Sequence, residues 1–320
     1  MKNFSIFLFS VFILLTAFSA WAGPYSDAIG GDGIDAGIAG FVGPDGDGVR
    51  SANNYVNPIF VGWATGVVSY EPSDVIGPYE DNGIGYQFSY PSNCLGEVTG
   101  DVMHIASLGD MDEGEISDYL AGTGYGPGTL TLSFDNAITN GSGADFAAFE
   151  NGFISDYTTG AGSSAGQIFA ELGYIEVSTD GINFARFPSS YLNDAPTGGA
   201  GYLTQDATNI YNLVGKHVNA YGTSWGTPFD LDDLLDNELV LAGLVDLSEI
   251  NFLRIIDIPG DGTFTDADGN SIYDAWVTWG SGGLDFEAVG VINAVPIPSA
   301  VWLMASGLFS IIAYRRKQAF

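Results

Sequence analysis

Between residues 57 and 293, apolar and polar positions alternate in short runs broken by glycine-containing turns. Gly128-Thr129-Leu130-Thr131-Leu132-Ser133-Phe134 has a period of two. That period sends successive side chains to opposite faces of a strand and predicts Leu130, Leu132 and Phe134 on the core side. Residues 60–64 and 66–70 read as short strands, and residues 145–150 as another that Asn151-Gly152 ends. Residues 170–178 and 182–187 flank Thr179-Asp180-Gly181, which predicts a hairpin. Residues 251–258 form a dense apolar strand, and residues 286–292 the last one. Helical spacing is confined to 206–214 and 230–237; in the second, Leu231, Leu234 and Leu235 sit at i, i+3 and i+4 and predict one apolar stripe. Many strands, few helices and steady turn signals predict an all-β fold, an antiparallel β-sandwich. No tandem repeat or linker interrupts residues 57–293, so they read as one domain. Residues 23–56 are rich in Gly and Asp and read as a loop or arm. Within them Gly30-Gly31-Asp32-Gly33-Ile34-Asp35 matches the start of a calcium nonapeptide repeat. Such turns bind calcium only when stacked, and this is a single copy with Gly37 where a bulky apolar residue belongs, so it reads as flexible loop.

The two ends carry a different pattern. Lys2, an apolar run over 6–15 and Ala20-Trp21-Ala22 form a signal peptide over residues 1–22, with the mature chain expected to begin at Gly23. At the other end, Val295-Pro296-Ile297-Pro298 precedes an uncharged apolar run over 301–314 and then Arg315-Arg316-Lys317. Prolines cannot continue a helix and so mark the end of the folded domain. A membrane helix is expected over residues 300–314. At about 1.5 Å per residue it falls short of a hydrocarbon core of about 30 Å, a deficit that Pro298 to Ala300 and snorkelling basic side chains partly make up. The basic triplet belongs on the cytoplasmic side, which places everything before it outside the inner membrane.

This tail, residues 295–320, resembles the PEP-CTERM sorting signal of Gram-negative bacteria: a short proline motif, a hydrophobic helix and a basic end. Ile297 stands where the motif commonly has Glu, a Val-Pro-x-Pro variant. The resemblance implies an exosortase-type sorting protease as partner, cutting near Pro296 and Pro298, and an inner-membrane-anchored precursor that ends at the cell surface or in the extracellular matrix. On hydropathy alone the tail also reads as an ordinary C-terminal anchor. Stretches at 60–64, 95–100, 145–153, 170–188, 272–274 and 280–293 resemble exported bacterial surface proteins that often carry such tails. That similarity implies a jelly-roll-like sandwich and association with extracellular polysaccharide, and no settled activity.

Charge narrows the partners. Residues 23–294 hold all 39 acidic residues and only four basic ones, Arg50, Arg186, Lys216 and Arg254, a formal charge of −35. Nucleic-acid binding depends on Lys and Arg neutralising phosphate, so a nucleic-acid partner is excluded. The surface favours cations, either for solubility or by converging carboxylates on a metal such as calcium. The single cysteine, Cys94, allows no internal disulfide and reads as a small buried hydrophobe.

The densest chemistry lies at 257–274. Asp266, Asp268, Asn270 and Asp274 match places 1, 3, 5 and 9 of an EF-hand-like loop, while Val277 stands where its bidentate Glu belongs and flanking helices are missing. The expectation is a non-EF calcium loop with Asp257, Asp261, Asp266, Asp268, Asn270 and Asp274 as candidate ligands. The alternative is an acidic loop whose side chains cap their own backbone. Glu150 and Asp285, at strand ends, are weaker candidates. Trp276 and Trp279 follow the acidic loop and are candidates for stacking on a glycan, against the alternative of packing. Gly162-Ser163-Ser164-Ala165-Gly166 spells G-x-S-x-G but lacks the strand-then-helix setting of a nucleophile elbow, and His104 and His217 belong to no motif. The reading is a non-enzymatic exported surface or matrix protein, calcium-stabilised and glycan-associated. The alternative is a secreted hydrolase acting on polysaccharide or ester bonds.

Overall fold

The computed structural model describes residues 35–77, 83–154, 158–159, 162–163, 168–193, 205–278 and 280–295. The expected signal peptide, the tail from Pro296 onward, Ser164 and Trp279 lie outside them. The described chain is mostly antiparallel β-structure with few helices. In chain order the strands of its two large sheets are β1 (Ile38–Ala39), β2 (Gly62–Trp63), β3 (Gly66–Glu71), β4 (Ala106–Ser107), β5 (Thr129–Ile138), β6 (Phe146–Glu150), β7 (Gly173–Ser178), β8 (Ala185–Arg186), β9 (Trp225–Phe229), β10 (Ile250–Asp257) and β11 (Asp285–Val291). The first sheet runs β1-β9-β6-β11-β2, with β4 also on β11; the second runs β8-β7-β10-β5-β3. Every pairing in both is antiparallel.

The two sheets share one apolar core. Leu130, Leu132, Ile175, Val177, Leu253 and Ile255 come from the second sheet; Phe146, Ala148, Phe229, Phe286, Val289 and Val291 come from the first. Phe146 stacks on Phe229 at 5.2 Å, and Phe187 meets both rings edge-on. The period of two held along β5: Leu130, Leu132 and Phe134 are buried. Cys94 is buried in the same core and its Sγ donates to Phe286 O at 3.3 Å. Desolvation there pushes the thiol far above its ordinary range.

Three local features differ from the sequence pattern. Residues 206–214 hold one 3-10 turn, Ala207–Asn209, followed by strand Ile210–Tyr211. Leu231–Leu234 is also a 3-10 turn; Leu231 and Leu234 are buried but Leu235 is 52 % exposed. Three residues per turn keep i and i+3 on one face and swing i+4 away. Helix α1 (Glu113–Leu120) has no strong apolar period but a full capping box, Asp112 accepting from Glu115 N and Glu115 from Asp112 N, each at 2.9 Å. From Asp35 on, the Gly/Asp-rich stretch is tied to the fold. β1 pairs along β9, and Asp35 forms a buried ion pair with Lys216. Among the described residues no helix is long and apolar enough to cross a membrane.

Candidate functional site

Antiparallel register brings acidic strand ends together. β6 finishes on Glu150, which is partnered by Phe286, so Asp285 at the start of β11 lies beside it. β10 finishes on Asp257 opposite Gly173, so Glu171 enters at the same end of the second sheet. Loops add Asp110, after β4; Asp74, after β3; and Asp274, from the segment between β10 and β11. These seven carboxylates sense one another. The charge of Asp285 acts on Glu150, Glu171 and Asp257, and that of Asp257 acts on Asp110 and Asp274. Apart from Asp74, none of them is more than 4 % exposed.

Backbone and hydroxyl donors hold these carboxylates in place. Asp257 Oδ1 accepts from Leu284 N at 2.8 Å, Asp110 Oδ2 from Thr278 N at 2.8 Å and Asp274 Oδ2 from Leu172 N at 2.6 Å. Glu150 Oε2 accepts from Gly152 N at 2.8 Å, and Glu171 Oε1 from Thr278 Oγ1 at 2.8 Å. Ser107 Oγ donates to Asp285, and Asp110 N to Asp74 at 3.0 Å. Asp110 Oδ1 and Asp257 Oδ2 are buried with no hydrogen-bond partner among the described residues. A buried polar atom without a partner costs about 1–3 kcal/mol, and more when it is charged. Two glycines let the chain approach this closely. A Cβ on Gly260 would stand 2.0 Å from Asp274 Oδ1, and one on Gly283 (φ +62°) would stand 2.2 Å from Gly109 O.

Burial, followed by the like charges, raises the proton affinity of the whole group. Asp257 is pushed up to about 8, Asp285 to about 7 and Asp74 to about 6. Asp110, Glu150, Glu171 and Asp274 are held well above the ordinary carboxylate range for the same reason. Among the described residues no basic side chain is paired with them. Arg50 binds Gly100 O and Asp101, Arg186 and Arg254 share Glu176, and Lys216 pairs with Asp35. Neutrality here must come from protons or from a cation taken from solution.

The oxygen-only donor set suits a hard cation. Calcium takes six to eight oxygens from carboxylates, carbonyls and water, at about 2.3–2.6 Å. Among the described residues no three His, Cys, Asp or Glu side chains already form a ligating array. The arrangement is instead a buried acidic nest in which two carboxylate oxygens lack a hydrogen-bond partner among the described residues.

The predicted loop divides. Asp257 and Asp274 belong to the nest. Asp266 instead organises its own loop, accepting from Tyr191 N, Asp268 N, Asn270 N and Asn270 Nδ2 at 2.8–3.0 Å. Asp261 caps Thr263 through N at 2.8 Å and Oγ1 at 2.6 Å, and Asp268 and Asn270 are exposed. Asp261 and Asp266 do what Asp commonly does in turns, satisfying nearby backbone donors, and the Asn270 side chain donates to Asp266. Glu150 and Asp285, the weaker candidates, are both in the nest. Asp74, Asp110 and Glu171 went unnoticed in the sequence because none belongs to a motif: Glu171 falls in the run read as strand 170–178, and Asp74 and Asp110 in unpatterned stretches. Trp276 is half-buried with Nε1 donating to Met111 O at 2.8 Å, which pins the loop to the segment before α1. His217 Nε2 lies 2.9 Å from Asp35 O, at the arm.

In comparisons with known proteins, no family model and no curated sequence matches the chain. The functional argument therefore rests on the residues themselves.

Proposed function

We propose that this is an exported, non-enzymatic surface protein. In this reading its two sheets form a jelly-roll-like β-sandwich, closed at one end by calcium bound in the acidic nest. Residues 1–22 direct export. Val295, Pro296, Ile297 and Pro298, with Arg315, Arg316 and Lys317 behind the apolar run, form the tail that an exosortase-type protease processes at the inner membrane. The destination is the cell surface or extracellular polysaccharide matrix of a Gram-negative bacterium. The observation that carries the calcium assignment is the pair of oxygens on Asp110 and Asp257 that have no partner among the described residues, buried among like charges that no described Lys or Arg pairs with. Burial also supports a structural role over a hydrolytic one. A general acid must touch its substrate, whereas six of these acids are sealed from solvent.

The test is thermal melting of the purified full-length chain, stripped with chelator and then returned to millimolar calcium, with calorimetric titration alongside. A higher melting temperature and a saturable heat are expected with calcium and not with an equal concentration of potassium. No heat and no shift would end the calcium assignment.

A further inference from the structure

A cleft of about 440 Å³ lies on the outer face of the second sheet, away from the nest. Clefts of about 300–1,000 Å³ are the usual size for small ligands. Its floor follows from register: Arg186, Glu176, Arg254, Thr131 and Ser69 are successive cross-strand partners on β8, β7, β10, β5 and β3. The same period of two that buries Leu130, Leu132, Ile175, Val177, Leu253 and Ile255 turns these residues outward.

Basic residues, scarce elsewhere in 23–294, gather here, with Glu176 between them and Glu71 in the same lining. Two of the four basic residues of 23–294 stand side by side in this cleft. Glu176, buried between them, engages Arg186 Nε at 2.8 Å and Arg254 Nε at 2.8 Å, and also accepts from Arg254 Nη2. The triad therefore keeps one net positive charge. The Nη groups of Arg186 and Nη1 of Arg254 have no partner among the described residues. Rings fix both guanidiniums in place: Arg186 lies 4.3 Å above Tyr174, and Arg254 lies 3.9 Å above Phe184. Both arginines remain open to solvent, with side chains 47 % and 33 % exposed. Beside them rises an aromatic wall, Tyr119 of α1 stacked on Phe264 at 6.1 Å and 16°. The Tyr119 ring is 40 % exposed.

We propose that this cleft binds an acidic saccharide, a glycan segment carrying uronate carboxylates. A guanidinium fork receives a carboxylate through paired, charge-assisted hydrogen bonds. An exposed aromatic ring receives the apolar face of a pyranose. The Ser69 and Thr131 hydroxyls and the Glu71 carboxylate offer partners for sugar hydroxyls along the floor. The hydroxyl row and the ring wall favour a saccharide over an acidic peptide, whose carboxylates need neither. This proposal rests on the surface-protein reading, which puts the cleft where polysaccharide is met. It places the ligand on the sheet face and not on Trp276, whose indole is already committed to Met111 O.

The test is calorimetric titration of the purified full-length chain with tetragalacturonate, with cellotetraose and tetraglutamate as neutral and peptidic controls, at one fixed calcium concentration. Tetragalacturonate should give a saturable heat that weakens with salt, and the controls should give none. Arg186→Gln should weaken binding at least tenfold while leaving Arg254 to hold Glu176. Tyr119→Ala, on exposed surface, should weaken it severalfold and serves as the deciding variant if Arg186→Gln melts early. No heat with tetragalacturonate, equal heat with either control, or unchanged affinity in the deciding variant would overturn the proposal. The two readings fail separately: a calcium shift without tetragalacturonate binding sinks the cleft alone, and the reverse sinks the calcium nest alone.

Discussion

Replacing Asp257 by Asn separates a cation site from a mere hydrogen-bond network. Its Oδ1 accepts from Leu284 N, an interaction an amide oxygen keeps, while Oδ2 is unpartnered and faces like charge. Burial raises the carboxyl from its ordinary 3.8 to about 8. At about 1.4 kcal/mol per tenfold change in proton affinity, ionising it in the fold costs on the order of 5 kcal/mol. Net stabilities are about 5–15 kcal/mol, so a cost of that order is a large fraction and should show as a lower melting temperature of the chelated chain at pH 8. Calcium at a hundred times its Kd returns about 2.7 kcal/mol. At about 2–4 °C per kcal/mol for a domain of this size, it should raise the wild-type melting temperature by about 5–10 °C. In chelator, Asp257→Asn removes the charge and should melt above wild type by several degrees. With calcium the order should reverse or the gap close, because the variant has lost a ligand and its calcium shift. Differential scanning calorimetry at pH 8 reads all four states, and Asp268→Asn, an exposed acid of the neighbouring loop, should behave as wild type. The reasoning is refuted if Asp257→Asn melts below wild type by the same margin in chelator and in calcium.

Acid should mimic the ion. Asp257 and Asp285 have folded values of about 8 and about 7, above their ordinary 3.8, so the fold binds protons that the unfolded chain releases. Their stabilisation is complete below about pH 4 and is lost as pH rises toward 8, so the melting temperature in chelator should fall across that window while the calcium-induced shift grows. A calcium shift equal at pH 5 and pH 8 would contradict this. Phe146→Ala opens a cavity between Phe229 and Phe187 and should cost about 3–5 kcal/mol in denaturant melts, leaving the size of the calcium shift intact. Exchanging Arg315, Arg316 and Lys317 for Gln should leave the tail of an exported chain unprocessed, seen as a larger band retained in the inner-membrane fraction; unchanged processing would argue against the sorting assignment.

Much of the fold was legible because strand periodicity is local. The alternation in 128–134 reported its buried face without knowledge of any partner strand, and Asp145 to Glu150 and residues 251–258 announced strands by apolar density. Helix α1 was legible in principle, since Asp112 and Glu115 spell a capping box, but its apolar signal is the single buried Ile116. The stripe at Leu231, Leu234 and Leu235 misled because the spacing cannot distinguish an α-helix from a 3-10 turn before hydrogen bonds form. The acidic loop misled in part for a related reason. Asp266 and Asp261 look like ligands in one dimension, yet both also accept from donors two to four residues away, and Asp266 from Tyr191 N as well.

By itself the sequence determined the β-rich character, the inward and outward faces of the main strands and the excess of acid over base. Tertiary structure alone decided which acids meet. Asp74, Asp110, Glu150 and Asp257 are scattered along the chain, and only antiparallel register across both sheets brings their ends to one place. It also decided that Arg186 and Arg254 flank Glu176 and that Tyr119 stands beside Phe264. Periodicity is written in neighbouring residues, whereas convergence depends on strand pairing between distant ones, and no local pattern encodes that.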